Sequence, residues 1–90
     1  MIVKTKLTQA EYDEIEDLVN RALVVPNKTV AKKYTDRLAF LARWFEGPAH
    51  NIINELCASV KAASGRVADK EHKEYFCKMD LFKLRRFIEE

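Results

Sequence analysis

Apolar residues recur at spacings of three and four along most of the chain, which is the period of an amphipathic α-helix. The first stripe extends from Tyr12 to Leu23, and acidic residues occupy most of the opposite side. Just before it, Thr8 and Glu11 stand at the two positions of a capping box. Leu7 and Tyr12 occupy the positions of a hydrophobic staple. The pattern therefore predicts a first helix that ends at about Leu23.

Two further stripes follow, and proline or glycine separates each from its neighbours. Asn27 or Thr29 is placed to cap a second helix, which we expect to end at Gly47-Pro48. Pro48 also suits the first turn of a third helix that ends before Gly65. The predicted core positions are Val30, Tyr34, Leu38, Leu41 and Phe45 in the second helix and Ile52, Ile53, Leu56, Cys57, Val60 and Ala63 in the third.

The last part of the chain contains two apolar sets that point in different directions on one helix. A straight helix would leave one of the sets exposed to solvent. We therefore expect a bend or break near Met79-Asp80, with Asp69 capping the helix before it and Asp80 capping a short helix after it. The first set is Tyr75, Phe76 and Met79, and the second set is Leu81, Leu84 and Ile88.

Together the stripes predict an all-α fold, a compact bundle of four to five short helices in a single domain over residues 1–90. A chain of 90 residues is too short to divide its apolar surface between two cores. Its two glycines and two prolines are fewer than a sheet built from hairpins would usually need. Ile2 and Val3 are expected to pack as extended chain, because a lone strand has no partner.

Neither a membrane span nor a secretory leader is indicated. No stretch approaches the roughly 18 consecutive apolar residues of a membrane helix, and the segment before Leu7 lacks an apolar core. We therefore expect a cytoplasmic protein without a membrane partner, in which Cys57 and Cys77 remain free thiols. Cys57 falls in a predicted apolar stripe, whereas the lysines near Cys77 would lower the pKa of that thiol if it were exposed.

No residue pattern indicates an enzyme. The chain has no glycine-rich phosphate loop, no nucleophile elbow and no helical pair of metal ligands. His50 is expected to face solvent, and His72 follows Asp69 in the first turn of the next helix. Zinc ligation by both histidines with Cys57 and Cys77 has suitable ligand types, but the spacings match no known zinc pattern. We expect no catalytic residue, no metal and no cofactor.

Charge is unevenly distributed, although the net charge is only +2. Residues 1–25 carry three basic and five acidic groups, whereas residues 26–47 carry five basic and two acidic groups. The ordinary explanation is pairing between an acidic first helix and a basic second helix, which selects an antiparallel orientation. In that case Asp13, Glu16 or Asp17 faces Lys32, Lys33 or Arg37.

The functional hypotheses rest on aromatic and basic residues beyond those that the stripes need. Phe40 and Trp44 lie beside the second stripe, and Phe82 and Phe87 lie near the end of the chain. Such rings either complete the monomer core or, beside arginines, form a protein interface. Our first hypothesis is a non-enzymatic protein-binding module, an adaptor, regulator or inhibitor of phage or plasmid type. The predicted partner-binding residues are Lys32, Lys33, Arg37, Phe40, Arg43, Trp44, Arg85 and Arg86.

Two alternatives for the partner stay open at this point. Self-association as a homodimer is the commonest use of such an interface. A nucleic-acid-binding regulator would instead use the basic faces of the second helix and the C-terminal helix. Asp36 and Glu46 interrupt the positive face, and no helix-turn-helix pattern is evident, so we rank nucleic acid below a protein partner.

Overall fold

A computed structural model describes residues 3–89, which form four α-helices and a final turn of 3-10 helix. Each helix packs on the next one along the chain, and a smaller contact between α1 and α4 closes the ring. This arrangement confirms the all-α bundle. No helix in the described range is long and apolar enough to cross a membrane. The elements are α1 (Gln9–Val24), α2 (Lys28–Ala42), α3 (Gly47–Ala63), α4 (Lys70–Leu84) and the 3-10 turn Arg85–Phe87.

The predicted caps of the first two helices are present. The amide of Thr8 donates to Glu11 Oε1 at 2.8 Å, and the amide of Glu11 donates to Thr8 Oγ1 at 3.2 Å. This is the capping box that the sequence predicts. At α2 the side chain of Asn27 accepts from the amide of Thr29 at 2.7 Å, so Asn27 is the cap of that helix. Local sequence therefore determines both helix starts.

The second helix ends at Ala42, so the predicted end at Gly47-Pro48 is wrong. Phe45 lies beyond the helix, is buried, and forms an isolated parallel bridge with Lys4. The amide of Lys4 donates to the Trp44 carbonyl at 3.1 Å, and the amide of Glu46 donates to the Lys4 carbonyl at 2.9 Å. The helix ends early because the N-terminal segment supplies backbone partners to residues 44–46.

The buried side of α2 also differs from the predicted stripe. Val30 is exposed, whereas Ala31, Thr35, Leu38 and Ala42 are buried. Because α2 packs between α1 and α3, small residues let both neighbours approach the helix closely. A stripe drawn through the largest apolar side chains misses such positions. In α1 and α3, where the large residues face the core, the predicted stripes are confirmed apart from the half-buried Leu18 and Ile52.

The N-terminal segment pairs with the last residues of the described chain as well as with residues 44–46. Leu7 is fully buried, and its amide donates to the Phe87 carbonyl at 2.8 Å. The amide of Glu89 in turn donates to the Leu7 carbonyl at 2.6 Å. The segment thus pairs as two isolated bridges and not as a strand. Val3 is exposed, and Ile2 lies outside the described residues.

The predicted break near Met79-Asp80 is wrong, since α4 continues through both residues to Leu84. Asp80 caps no helix. Its carboxylate is buried against α3 and accepts from Ser59 Oγ at 3.1 Å. Asp69 stands at the start of α4 in the left-handed region (φ 54°) without a side-chain capping bond. Because Ser59 gives Asp80 a partner inside a continuous helix, the carboxylate does not interrupt α4.

The buried position of Asp80 makes stability depend on pH. Burial raises the pKa of this carboxyl above its ordinary value, although the Ser59 hydrogen bond and Lys83 act in the opposite direction. Since the folded state holds the proton more tightly than the unfolded state, protonation stabilises the fold. This contribution is complete below the ordinary Asp pKa of about 4 and is lost as the pH rises through the folded pKa.

Asp80→Asn is therefore expected to stabilise the protein at pH 7, by a few tenths to about 1 kcal/mol. The amide removes the buried charge and still accepts from Ser59. The gain should vanish below about pH 4, where the native carboxyl is protonated. Urea unfolding at both pH values measures the effect. A variant that is less stable than the parent at pH 7 would contradict this view of Asp80.

Candidate protein-binding surface

One side of α4 presents a row of large apolar side chains to solvent. Tyr75 is 57%, Phe76 48%, Met79 38% and Phe82 65% exposed. With His72 they recur at helical spacing over eleven residues, whose ten steps span about 15 Å of helix. We call this row the α4 outer face and define it as His72, Tyr75, Phe76, Met79 and Phe82.

The rings of the α4 outer face are ordered against one another. His72 and Phe76 meet edge to face with centroids 4.8 Å apart, and Tyr75 and Phe76 meet at 6.1 Å with planes inclined by 64°. Such edge contacts are favourable for aromatic pairs. They favour a defined arrangement of these three rings, which lowers the entropic cost of docking on them.

This surface exists because α4 is apolar on two sides. Its buried side consists of Cys77, Asp80, Leu81 and Leu84. The α4 outer face points away from these residues, since the two sets are separated by large angles at 100° per residue. In a ring of four helices, the neighbours of α4 pack only against its core-facing side. The second apolar set is therefore left without a counterpart in the monomer.

An open groove runs between α1 and α4, where the contact between neighbouring helices is smallest. Its cavity has a volume of about 310 Å³. The phenol of Tyr12 lies in it, 3.5 Å from both the Leu81 carbonyl and Glu16 Oε2. Phe82 borders the groove and also belongs to the α4 outer face, so the two features form one surface. The groove is lined by Tyr12, Glu16, Asn20, Lys78, Leu81, Phe82 and Arg85.

Cations border this surface. Lys78, Lys83, Arg85 and Arg86 are all exposed, and none has a carboxylate within 4 Å among residues 3–89. The acidic residues of α4 itself are Glu71, which is exposed, Glu74, which lies 3.8 Å from Lys70, and the buried Asp80. Two predicted partner-binding residues, Arg85 and Arg86, thus lie beside the α4 outer face, in the 3-10 turn that follows the helix.

The predicted basic residues in the middle of α2 are largely engaged within the protein. Lys32 pairs with Asp36 at 2.8 Å, and Arg37 pairs with Glu14 of α1 at 3.1 Å. Lys33 Nζ lies 5.0 Å from the ring of its neighbour Tyr34. The expected pairing between α1 and α2 is therefore present through Arg37, but Glu14 is the acidic partner in place of Asp13, Glu16 or Asp17.

The remaining predicted residues form a second, smaller cluster at the end of α2. Phe40 and Trp44 are partly exposed and meet edge to face at 6.2 Å. The Arg37 guanidinium lies 5.3 Å from the Phe40 ring, and Arg43 is exposed at the helix end. We call this cluster the α2 patch and define it as Arg37, Phe40, Arg43 and Trp44.

The α2 patch and the α4 outer face do not merge into the single surface that the sequence suggested. The two helices are not neighbours in the ring, because α2 packs on α1 and α3. The backbone of the N-terminal segment lies between them, paired at Lys4 with Trp44 and Glu46 and at Leu7 with Phe87 and Glu89. Trp44 and Arg86 are thus at the same end of the bundle but on separate sides of this segment.

Sequence reasoning missed Tyr75, Phe76 and Met79 as site residues, and it counted Phe82 among the surplus aromatic residues without placing it in the predicted site. The signal was available, since two apolar sets on one helix had been recognised. A break in α4 would bury both sets. The expected break therefore leaves no reason to predict that Tyr75, Phe76 and Met79 are exposed. Phe87, counted among the surplus aromatic residues, is half-buried against the core. The surplus that reaches the surface is therefore concentrated on α4.

The histidine and cysteines that were considered for chemistry are packed or hydrogen-bonded within the fold. His50 is half-buried, in contrast to the expected exposure, and its Nδ1 donates to the Ala42 carbonyl at 2.8 Å. Both cysteines are free thiols and buried. Burial raises the pKa of Cys57, and it raises the pKa of Cys77 to about 11, so neighbouring lysines do not activate Cys77. Within residues 3–89 no three histidine, cysteine or carboxylate side chains gather as a metal site.

Comparisons with protein-family models, with characterised proteins and with solved structures found no match for this chain.

Proposed function

We propose that the protein is a non-enzymatic protein-binding module that docks a partner on the α4 outer face. One observation supports this function above the others, namely a row of exposed rings on the surface of a bundle whose core is complete without them. The exposed parts of Tyr75, Phe76 and Phe82 amount to roughly 300 Å². An apolar patch of a few hundred Å² is the size at which protein surfaces are often functional.

The chemistry of the surface suits an adaptor, regulator or inhibitor. Aromatic rings supply large contact areas with defined geometry, and the surrounding arginines and lysines supply orientation. Docking of this kind needs no nucleophile, metal or cofactor. We further propose a reducing, cytoplasmic location, because both cysteines are unpaired and structural disulfides are characteristic of oxidising compartments.

A nucleic-acid-binding regulator remains the second candidate. Its support is the basic sequence of α2 and the unpaired cations that follow α4. The structure reduces that support, since Lys32 and Arg37 already pair with Asp36 and Glu14. Cations in such pairs release fewer counterions when a phosphate approaches. The rings of α4 do not bind phosphate, although rings beside cations also suit base stacking in a single strand, and the experiment below distinguishes this from protein docking.

Photo-crosslinking tests the proposed function directly. A benzoyl-phenylalanine at position 82 is irradiated in an untreated cell lysate, with the same group at Phe40 in the α2 patch as the matched control, and part of each sample is digested with nuclease after irradiation. We expect a discrete protein adduct from position 82 and a much weaker one from position 40. Failure to crosslink any protein from position 82, or an adduct that contains nucleic acid, would contradict the proposal.

A further inference from the structure

We propose that the partner binds through an acidic amphipathic helix, which lies along the α4 outer face and the groove between α1 and α4. This inference rests on the proposed function and specifies its ligand. An apolar row about 15 Å long and bordered by a groove has the dimensions of a helix-in-groove contact. Such contacts take anchors at spacings of three, four and seven residues from the partner helix.

The charge of the partner follows from the cations around the row. Lys78 lines the groove side, and Lys83 and Arg85 lie at the C-terminal end of the row. None of the three has an ion pair within the described residues. A helix with carboxylates beside its apolar stripe would place opposite charges next to them. A basic helix would leave like charges facing each other, which costs affinity and slows association.

A second copy of this chain fits the same surface poorly. The row is centred near position 77, so an antiparallel pair of α4 helices would bring Lys78 within a few Å, along the helix axis, of its own copy. A parallel pair would bring each lysine and arginine to the same height along the axis as its own copy. The acidic α1 of a second copy cannot serve as the partner helix, because its apolar residues, such as Ile15 and Val19, are buried.

Two walls of the groove add specificity to this charge preference. Lys78 and Arg85 stand on the α4 side, whereas Glu16 and Asn20 stand on the α1 side. A partner helix is therefore expected to carry its acidic residues toward α4 and neutral polar residues toward α1. Phe82, which borders both the groove and the outer face, would be the most deeply buried contact.

Three labelled peptides of about 14 residues, roughly 20 Å of helix, test the inference by fluorescence anisotropy. The first combines a leucine and phenylalanine stripe with glutamates on both flanks. The second keeps the stripe and replaces each glutamate with lysine, and the third is a scrambled form of the first. We expect the acidic amphipathic peptide to bind at least tenfold more tightly than either of the others, and less tightly as salt is raised.

Charge reversal locates the contact. Lys78→Glu with Lys83→Glu should weaken binding of the acidic peptide at least tenfold and strengthen binding of the lysine peptide. Lys32→Glu with Lys33→Glu changes the net charge equally on α2 and should alter the affinity less than twofold. Equal losses from both pairs of substitutions would mean that only net charge matters and would overturn the inference.

Other outcomes separate this inference from the proposed function. Tighter binding of the lysine peptide would overturn the acidic partner, while a protein crosslink from position 82 would still stand. Sedimentation equilibrium that shows a dimer, dissociated by Phe82→Ser, would identify a second copy as the occupant and would also overturn it. If position 82 yields no crosslinked protein, the proposed function itself fails, whatever the peptides do.

Discussion

Serine at both position 75 and position 82 is expected to lower the affinity for the partner at least a hundredfold while leaving the fold intact. Tyr75 and Phe82 are the most exposed rings of the α4 outer face. Truncation of a central aromatic residue in an interface commonly costs 2 kcal/mol or more. Two such losses exceed the roughly 2.8 kcal/mol that corresponds to a hundredfold change. The monomer loses little, because neither ring belongs to its core.

Titration of the partner that crosslinks at position 82 measures the change in affinity, and urea unfolding of the same variant measures the change in stability. The matched control is Phe40→Ser with Trp44→Ser, which removes two rings from the α2 patch. We expect this control to bind within about threefold of the parent, a change below 1 kcal/mol. A control that abolishes binding, with the α4 variant unaffected, would assign the docking surface to α2.

Leu7→Ala is expected to lower the free energy of unfolding by about 2 to 5 kcal/mol, the range for a fully buried leucine. Leu7 lies outside every helix, yet it is completely buried, and its backbone bonds to both Phe87 and Glu89. The cavity would lie where the N-terminal segment crosses the last turn. Loss of this contact should therefore loosen the turn that carries Arg85 and Arg86 as well as the core.

Urea unfolding compares Leu7→Ala with Val3→Ala, a truncation in the same segment at an exposed position. The control should change stability by less than about 0.5 kcal/mol. Hydrogen exchange at the amide of Leu7, which donates to Phe87, should accelerate in the leucine variant. Similar stabilities for the two variants would mean that the N-terminal segment does not belong to the folded core.

The parts of the fold that sequence predicted are those determined by local chemistry. Thr8 with Glu11 and Asn27 cap their helices through bonds to residues two or three positions away. The apolar stripes of α1 and α3 are visible because their core positions hold large aliphatic residues. Predictions failed where the decisive partner is distant in sequence. Lys4 pairs with Phe45 beyond the early end of the second helix at Ala42, and Ser59 supports Asp80 within a continuous α4.

The candidate surface could be anticipated only in part, for the same reason. Composition indicated more aromatic residues than one small core needs, and this led to Phe40, Trp44 and the terminal arginines. Which rings remain outside depends on how many helices cover each element. In this ring α4 packs mainly on α3, makes a smaller contact with α1, and leaves one apolar side open. Periodicity shows that Tyr75 and Met79 share a side of the helix. It does not show whether another helix packs on that side.

Methyl NMR of Met79 tests the docking surface most directly. The chain has two methionines, Met1 and Met79, so protein labelled at the methionine methyl carbon gives two signals, and Met79 lies within the α4 outer face. In the free protein a soluble paramagnetic agent should broaden the Met79 signal. Saturation with the partner should shift that signal and protect it, while the fluorescence of Trp44 in the α2 patch stays unchanged. A Met79 signal that neither shifts nor gains protection, with the partner bound, would contradict docking on α4.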